Sequence, residues 1–181
     1  MSLLIITAFI FIAGTIVLRY SKVAAAVILT SPVIAFTGWW LLVSNHYFVP
    51  STPLQQEALG GFHLYEAVSE LQLEEIGNFE QRKQQHGYSY QTKDYFHLGT
   101  DPSHTILSLS SGEADAATSS GLQTGDNLAK ARALYGDHYY AYSEMGLGEA
   151  TVYVDRENNI LLTLWSQDDE TVSGIWLSVA E

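Results

Sequence analysis

GLQTGDNLAKARALYG, residues 121–136, is the stretch from which the fold is read. It has the form of a loop, a capped helix and a glycine stop. The Thr124 hydroxyl or the Asp126 carboxylate can accept from the free amides at a helix start, and Asp126 suits the positive end of the helix dipole. Leu128, Ala131, Leu134 and Tyr135 form a packing face at helical spacing. Ala129, Ala131 and Ala133 are strong helix formers, and Lys130 and Arg132 fall outward. Gly136 supplies the left-handed residue that follows many helix ends.

Downstream, alternation and turn residues predict four strands, roughly Tyr139–Ser143, Ala150–Val154, Ile160–Ser166 and Val172–Val179. Gly146 and Gly148, then Asp155–Asn159, then Gln167–Glu170 mark the turns between them. Val152, Val154, Leu162, Leu164, Ile175 and Leu177 supply an apolar face. Upstream, Gly61–Gly77 (GFHLYEAVSELQLEEIG) reads as a weaker copy of the opening stretch, offset by sixty residues. Leu64, Val68, Leu71 and Leu73 or Ile76 keep a helix-like spacing, and Glu66, Glu70, Glu74 and Glu75 make a solvated face. Residues 78–86 read as a polar loop or a frayed helical turn. Tyr88–Leu98 reads as a strand, residues 100–103 as a turn, and His104–Leu109 as the partner strand.

The first fifty residues are a different material. Met1–Leu18 and Val23–Val43 carry no charged side chain, and each approaches the ~20 residues a helix needs to cross a bilayer. Arg19 and Lys22 sit in the turn between them. No basic region precedes the first run, which argues against a cleaved leader. A basic turn on the cytoplasmic side puts both termini and the C-terminal domain outside, in a two-pass inner-membrane protein. Trp39, Trp40, Tyr47 and Phe48 fit an interfacial belt, and Pro32 predicts a kink. VPSTPLQQ, residues 49–56, reads as a connector.

The expectation is therefore an α+β chain. Residues 1–48 form a two-helix transmembrane hairpin and 49–60 a linker. Residues 61–181 form a two-layer domain of short helices on an antiparallel sheet, in two pseudo-repeats, 61–110 and 121–181.

All 20 acidic residues lie from Glu57 onward, against six basic ones, a formal charge of −14 for that part. So acidic a domain is repelled by nucleic acid and by anionic lipid, which leaves no nucleic-acid role. With no cysteine there is no disulfide or thiolate chemistry.

The run Gly-Leu-x-Thr-Gly-Asp-x-Leu, closed by Gly136, resembles the helix start of small envelope domains. Among these are the BamE-like outer-membrane assembly lipoproteins and the β-lactamase inhibitory protein. The resemblance implies helical segments opening units packed on antiparallel sheet, an envelope compartment, and a binding or assembly role without catalysis. It departs in lacking a lipobox cysteine and, in the first copy, in having Tyr65 at the second glycine. It supplies no site residues.

The chain has no Gly-x-Ser-x-Gly, no phosphate-binding glycine loop with lysine and no His-Glu-x-x-His. His97, Asp101 and His104 bracket one turn but lack a third strong ligand with a supporting shell, so no metal or other cofactor is assigned. Asp155, Glu157, Asn158 and Asn159 resemble a calcium loop in composition only and read as a hairpin turn. Asp168 and Asp169 read as a solvated turn. The tyrosines are the better candidates. Tyr88, Tyr90, Tyr95, Tyr139, Tyr140 and Tyr142 lie on predicted strands, where alternation sends some outward as anchors for a protein partner or a glycan. The functional expectation is a non-enzymatic, membrane-anchored extracytoplasmic module that binds a protein or envelope ligand. The rivals are an accessory subunit acting through the hairpin, and a carboxylate-dependent envelope hydrolase.

Overall fold

The computed structural model describes residues 15, 17, 19–44, 48–69, 79–92, 96–112 and 116–180. The chain divides into two compact units, Met1–Phe48 and Val49–Glu181.

In the first unit, helix α1 (Lys22–Ser44) runs for 23 residues with Pro32 inside it. A turn leads into it, where the Tyr20 and Ser21 amides both donate to the Val17 carbonyl at 2.9 Å. Lys22–Trp40 has a mean hydropathy of 1.6 and is only 6% buried, so it is long and apolar enough to cross a membrane. The expected two-helix hairpin is corrected on this point. Among the described residues one helix meets that length and apolarity, and the first expected span, Met1–Leu18, lies outside them apart from Thr15 and Val17.

The second unit is built on strands. In chain order these are β1 (Ala58–Leu59), β2 (Phe62–His63), β3 (Phe79–Gln84), β4 (Gly87–Thr92), β5 (Phe96–Thr100) and β6 (Ile106–Ser111). Helix α2 (Leu128–Tyr135) follows, then β7 (Tyr140–Glu144), β8 (Gly148–Asp155), β9 (Ile160–Ser166) and β10 (Gly174–Val179). β1 and β2 form a small ribbon. The other eight make one antiparallel sheet in the order β3-β4-β5-β6-β10-β9-β8-β7. Two four-stranded meanders thus meet where β6 pairs with β10, Leu109 opposite Leu177.

This corrects the expected layer of short helices in two pseudo-repeats. Among the described residues of the second unit, α2 is the one helix, and residues 61–69 are not helical. Gly60 and Gly61, at φ +60° and +84°, turn β1 into β2. Beyond them the chain bonds across to residues 104–106 at the start of β6: Tyr65 N donates to Ile106 O, Ile106 N to Glu66 O and Val68 N to His104 O, each at 2.9 Å. Long-range pairing takes the amides a helix would have used. Leu64 and Val68 still face the core, which is why their spacing imitated a helix. The rest of the expected first helix, residues 70–78, lies outside the described residues.

The opening stretch does fold as a helix, with a different cap. Asn127 Oδ1 accepts from Ala129 N at 2.7 Å. Asp126 instead accepts from Gln123 N at 2.8 Å and Lys130 Nζ at 2.7 Å. Gly136, at φ +87°, closes the helix with its amide on Arg132 O. Residues 79–84, expected as loop, form β3. From Glu80 on they are exposed and carry Glu80, Arg82 and Lys83, the charge pattern of an edge strand, while Phe79 packs half-buried on Tyr90.

Residues 49–60 are not a free connector. Thr52 N donates to Val154 O at 2.8 Å, and the buried Leu54 donates to the Asp155 carboxylate at 2.7 Å. This strap, β1, β2, Leu122 and α2 all cover one face of the sheet. Leu54, Leu59, Phe62, Leu122, Leu128 and Tyr135 pack there on Leu98, Leu109, Tyr153, Leu162, Leu164 and Leu177.

Candidate binding face

The sheet has a second face. Cross-strand partners share a face, so the register maps it directly. One row runs Tyr140, Val152, Thr163, Trp176, Ser110, His97, Gln91 from β7 to β4. The next runs Tyr142, Ala150, Trp165, Gly174. Ala150, Val152 and Trp165 form a small core of their own on this side, with Tyr140, Leu147 and Leu161 packed against it.

Four aromatic rings join across these rows. Tyr140 and Tyr142 stack at 6.2 Å. Tyr142 meets Trp165 edge-on at 5.7 Å, and Trp165 meets Trp176 edge-on at 5.2 Å. These spacings lie within the range where aromatic pairs attract beyond their buried area. Trp165 is 2% exposed and forms the floor, while Tyr142 at 42% and Trp176 at 40% stand open on either side. The Trp165 indole nitrogen is buried without a hydrogen-bond partner among the described residues.

The chain matches no protein-family model and no curated protein. A crystal structure of a cysteine-rich secretory protein from Staphylococcus aureus is similar to it at 13% identity and a TM-score of 0.42. That match covers 61% of this chain and 42% of the other, so the chain corresponds to less than half of that protein's length.

The six tyrosines expected to bind are divided by the fold. Tyr140 and Tyr142 lie on the open face. Tyr88 and Tyr90 have the opposite parity on β4 and point to the core side: Tyr88 stacks on His104 at 4.4 Å, and the Tyr90 hydroxyl bonds His104 Nδ1 at 2.9 Å. Burial pushes the Tyr90 hydroxyl above its ordinary range. Tyr139 precedes β7 and packs on Tyr153 at 5.7 Å, with the Arg132 guanidinium 5.4 Å above its ring. Tyr95 lies outside the described residues. Trp165 and Trp176 are absent from that set: within an apolar run nothing local separates a ring that faces outward from one in the core.

The residues weighed for metal do not converge. His97 is on the open face, its Nε2 2.6 Å from Ser89 Oγ, and burial holds its pKa below the usual histidine value. His104 is on the core side. The Asp101 carboxylate is occupied by its own turn, accepting from Ser103 N, Ser103 Oγ and Thr105 N at 2.8–2.9 Å. The Thr105 and Ser103 bonds hold it below the ordinary carboxylate range. Asp155 likewise serves structure. It ties the strap through Leu54 and the β8–β9 turn through the amides of Glu157 and Asn158.

Two clefts flank the strap. One, of about 470 Å³, is lined by Pro53, Gln55, Gln56, Glu57, Ser119 and Ser120. The other, of about 260 Å³, lies between Glu57, His63, Tyr65 and Asn158. In the first, the Ser120 hydroxyl donates to the buried Glu57 carboxylate. The nearby Tyr135 hydroxyl is pushed up to about 12 by burial and bonds Thr118 at 2.9 Å.

Proposed function

We propose that this chain is a membrane-tethered binding module that receives its ligand on the open face of the sheet. The observation that carries the reading is the connected row of Tyr142, Trp165 and Trp176 on the face opposite the strap and α2, with the Tyr142 and Trp176 rings partly exposed. Large rings held rigidly with part of their area open are good binding anchors, because little side-chain freedom remains to be lost. Helix α1 supports the tether. Arg19 before it, Lys22 at its first position and the acidic domain after it favour a domain held outside the cytoplasm. The likeness of residues 121–136 to envelope domains agrees with that side of the membrane.

Site-specific photo-crosslinking in intact cells tests the reading. A benzophenone amino acid at Ser110, in the row of Trp176, should capture a ligand. The same group at Leu134, exposed on α2, should not. Equal capture at the two positions would contradict the assignment of the face.

A further inference from the structure

Among its described residues the open face is uncharged over six strands. From β8 to β4 its side chains are Ala150, Val152 and Val154; Leu161, Thr163 and Trp165; Trp176 and Ser178; Ser108 and Ser110; His97; and Ser89 and Gln91, with Gly148, Gly174 and Gly99 between them. None is Asp, Glu, Lys or Arg, in a part of the chain with a formal charge of −14. At ~4.8 Å per strand this neutral surface is about 24 Å wide. Charges return on its margins, at Glu144 on β7 and at Glu80 and Arg82 on β3.

The surface has two halves. The β7–β10 half is aromatic. The β6–β4 half is small and hydrogen-bonding: Ser108, Ser110, His97 and Gln91 are neutral donors and acceptors, with the buried Ser89 bonded to His97 beneath them. Its floor is low, and a Cβ at Gly99 would lie 2.4 Å from Ser108 Oγ. Trp176 stands at the boundary, directly opposite Ser110, which is opposite His97.

On the reading that this face is the binding surface, the geometry points to a neutral glycan chain as its ligand. A sugar ring presents an apolar C–H face to Trp176 and Tyr142 and its hydroxyls to Gln91, His97, Ser108 and Ser110. A polyanion is repelled by the surrounding acidic domain. An ordinary protein partner would find no apolar anchor pocket in the serine-rich half, and no charge with which to pair on it.

The test uses the full chain in nanodiscs, free of glycoside detergent. It is titrated calorimetrically with neutral tetrasaccharides of glucose, N-acetylglucosamine, mannose and galactose, and with a sulfated tetrasaccharide. The expected result is binding of at least one neutral chain and not of the sulfated one. Affinity should fall at least tenfold in Trp176→Ala and in Gln91→Ala, and be unchanged in Leu134→Ala. Circular dichroism confirms that each variant is folded. No binding of any neutral tetrasaccharide overturns the inference, as does binding that Trp176→Ala leaves intact. Protein adducts at Ser110 without glycan binding would overturn the glycan while leaving the binding face. Neither glycan binding nor adducts would remove both.

Discussion

Asp155→Ala should release the strap that closes the core. The Asp155 side chain is 2% exposed and accepts from Leu54 N at 2.7 Å, Asn158 Nδ2 at 2.9 Å, Glu157 N at 3.1 Å and Asn158 N at 3.2 Å. The turn amides can rehydrate when the carboxylate is removed. The Leu54 amide is buried, and leaving it unpaired costs about 1–3 kcal/mol. Loosening the fully buried Leu54 side chain adds a further share of the ~1.5–3 kcal/mol its burial contributes. The sum is about 2–4 kcal/mol. For a unit of about 130 residues, an unfolding entropy near 2.1 cal/mol/K per residue makes 3 kcal/mol a drop in Tm of about 10 °C. Asp155→Asn keeps an acceptor for Leu54 and should lose about half as much.

The pH dependence has a definite sign. Burial alone would raise the Asp155 carboxyl, but the bonds from Leu54 and the turn outweigh it and bring its pKa below the ordinary value. A depressed folded pKa contributes stability above the unfolded value of ~3.9 and loses it as pH falls through the folded one. The gap between wild type and Asp155→Ala should therefore narrow below about pH 4. Thermal unfolding by circular dichroism and hydrogen exchange at the Leu54 amide measure both effects. An unchanged Tm with the amide still protected would refute the strap.

Other consequences follow from the same geometry. Gly148 has φ +94°, and a Cβ there would lie 2.1 Å from Ser166 O, so Gly148→Ala should destabilise by about 2 kcal/mol or more in chemical unfolding. Asn127→Ala should cost about 1 kcal/mol as the loss of the true cap. Asp126→Ala, which removes a surface pair with Lys130, should cost less than that in the same assay. The Asp168 carboxyl, held at about 2 by the Thr171 and Glu170 amides, should titrate by NMR far below an ordinary aspartate. By the same sign, its hold on residues 168–171 persists above pH ~4 and fails only as pH falls toward 2.

What the sequence revealed depended on the range of the interactions. α2 and β9 were legible because alanine content, helical spacing and an apolar run bounded by turn residues are local signals, and β9 falls on Ile160–Ser166 as expected. β3 was missed because an edge strand exposed on both sides has no apolar period to read. The strap was missed because its partner lies 101 residues away. Residues 61–69 were wrongly expected to open a helix because Leu64 and Val68 meet the core from an extended path as well as a helical turn would allow. At the site, alternation showed that some tyrosines must point outward, but parity alone did not say which. Tyr88 and Tyr90 fell to the core side and Tyr140 and Tyr142 to the open one. That choice was made by the strap and α2, which cover one face and leave the other.

The central claim is that a tethered domain works through that open face. The most direct measurement is the labelling rate of Ser110→Cys by a membrane-impermeant maleimide, in intact cells and after purification, against the fully exposed Met145→Cys. The chain has no cysteine of its own, so the signal is clean. The account predicts that both positions label in intact cells, with Ser110→Cys slowed by bound ligand and released on purification while Met145→Cys keeps its rate. Labelling of Ser110→Cys at one unchanged rate in cells and in pure protein, or of neither position until the cells are broken, would contradict it.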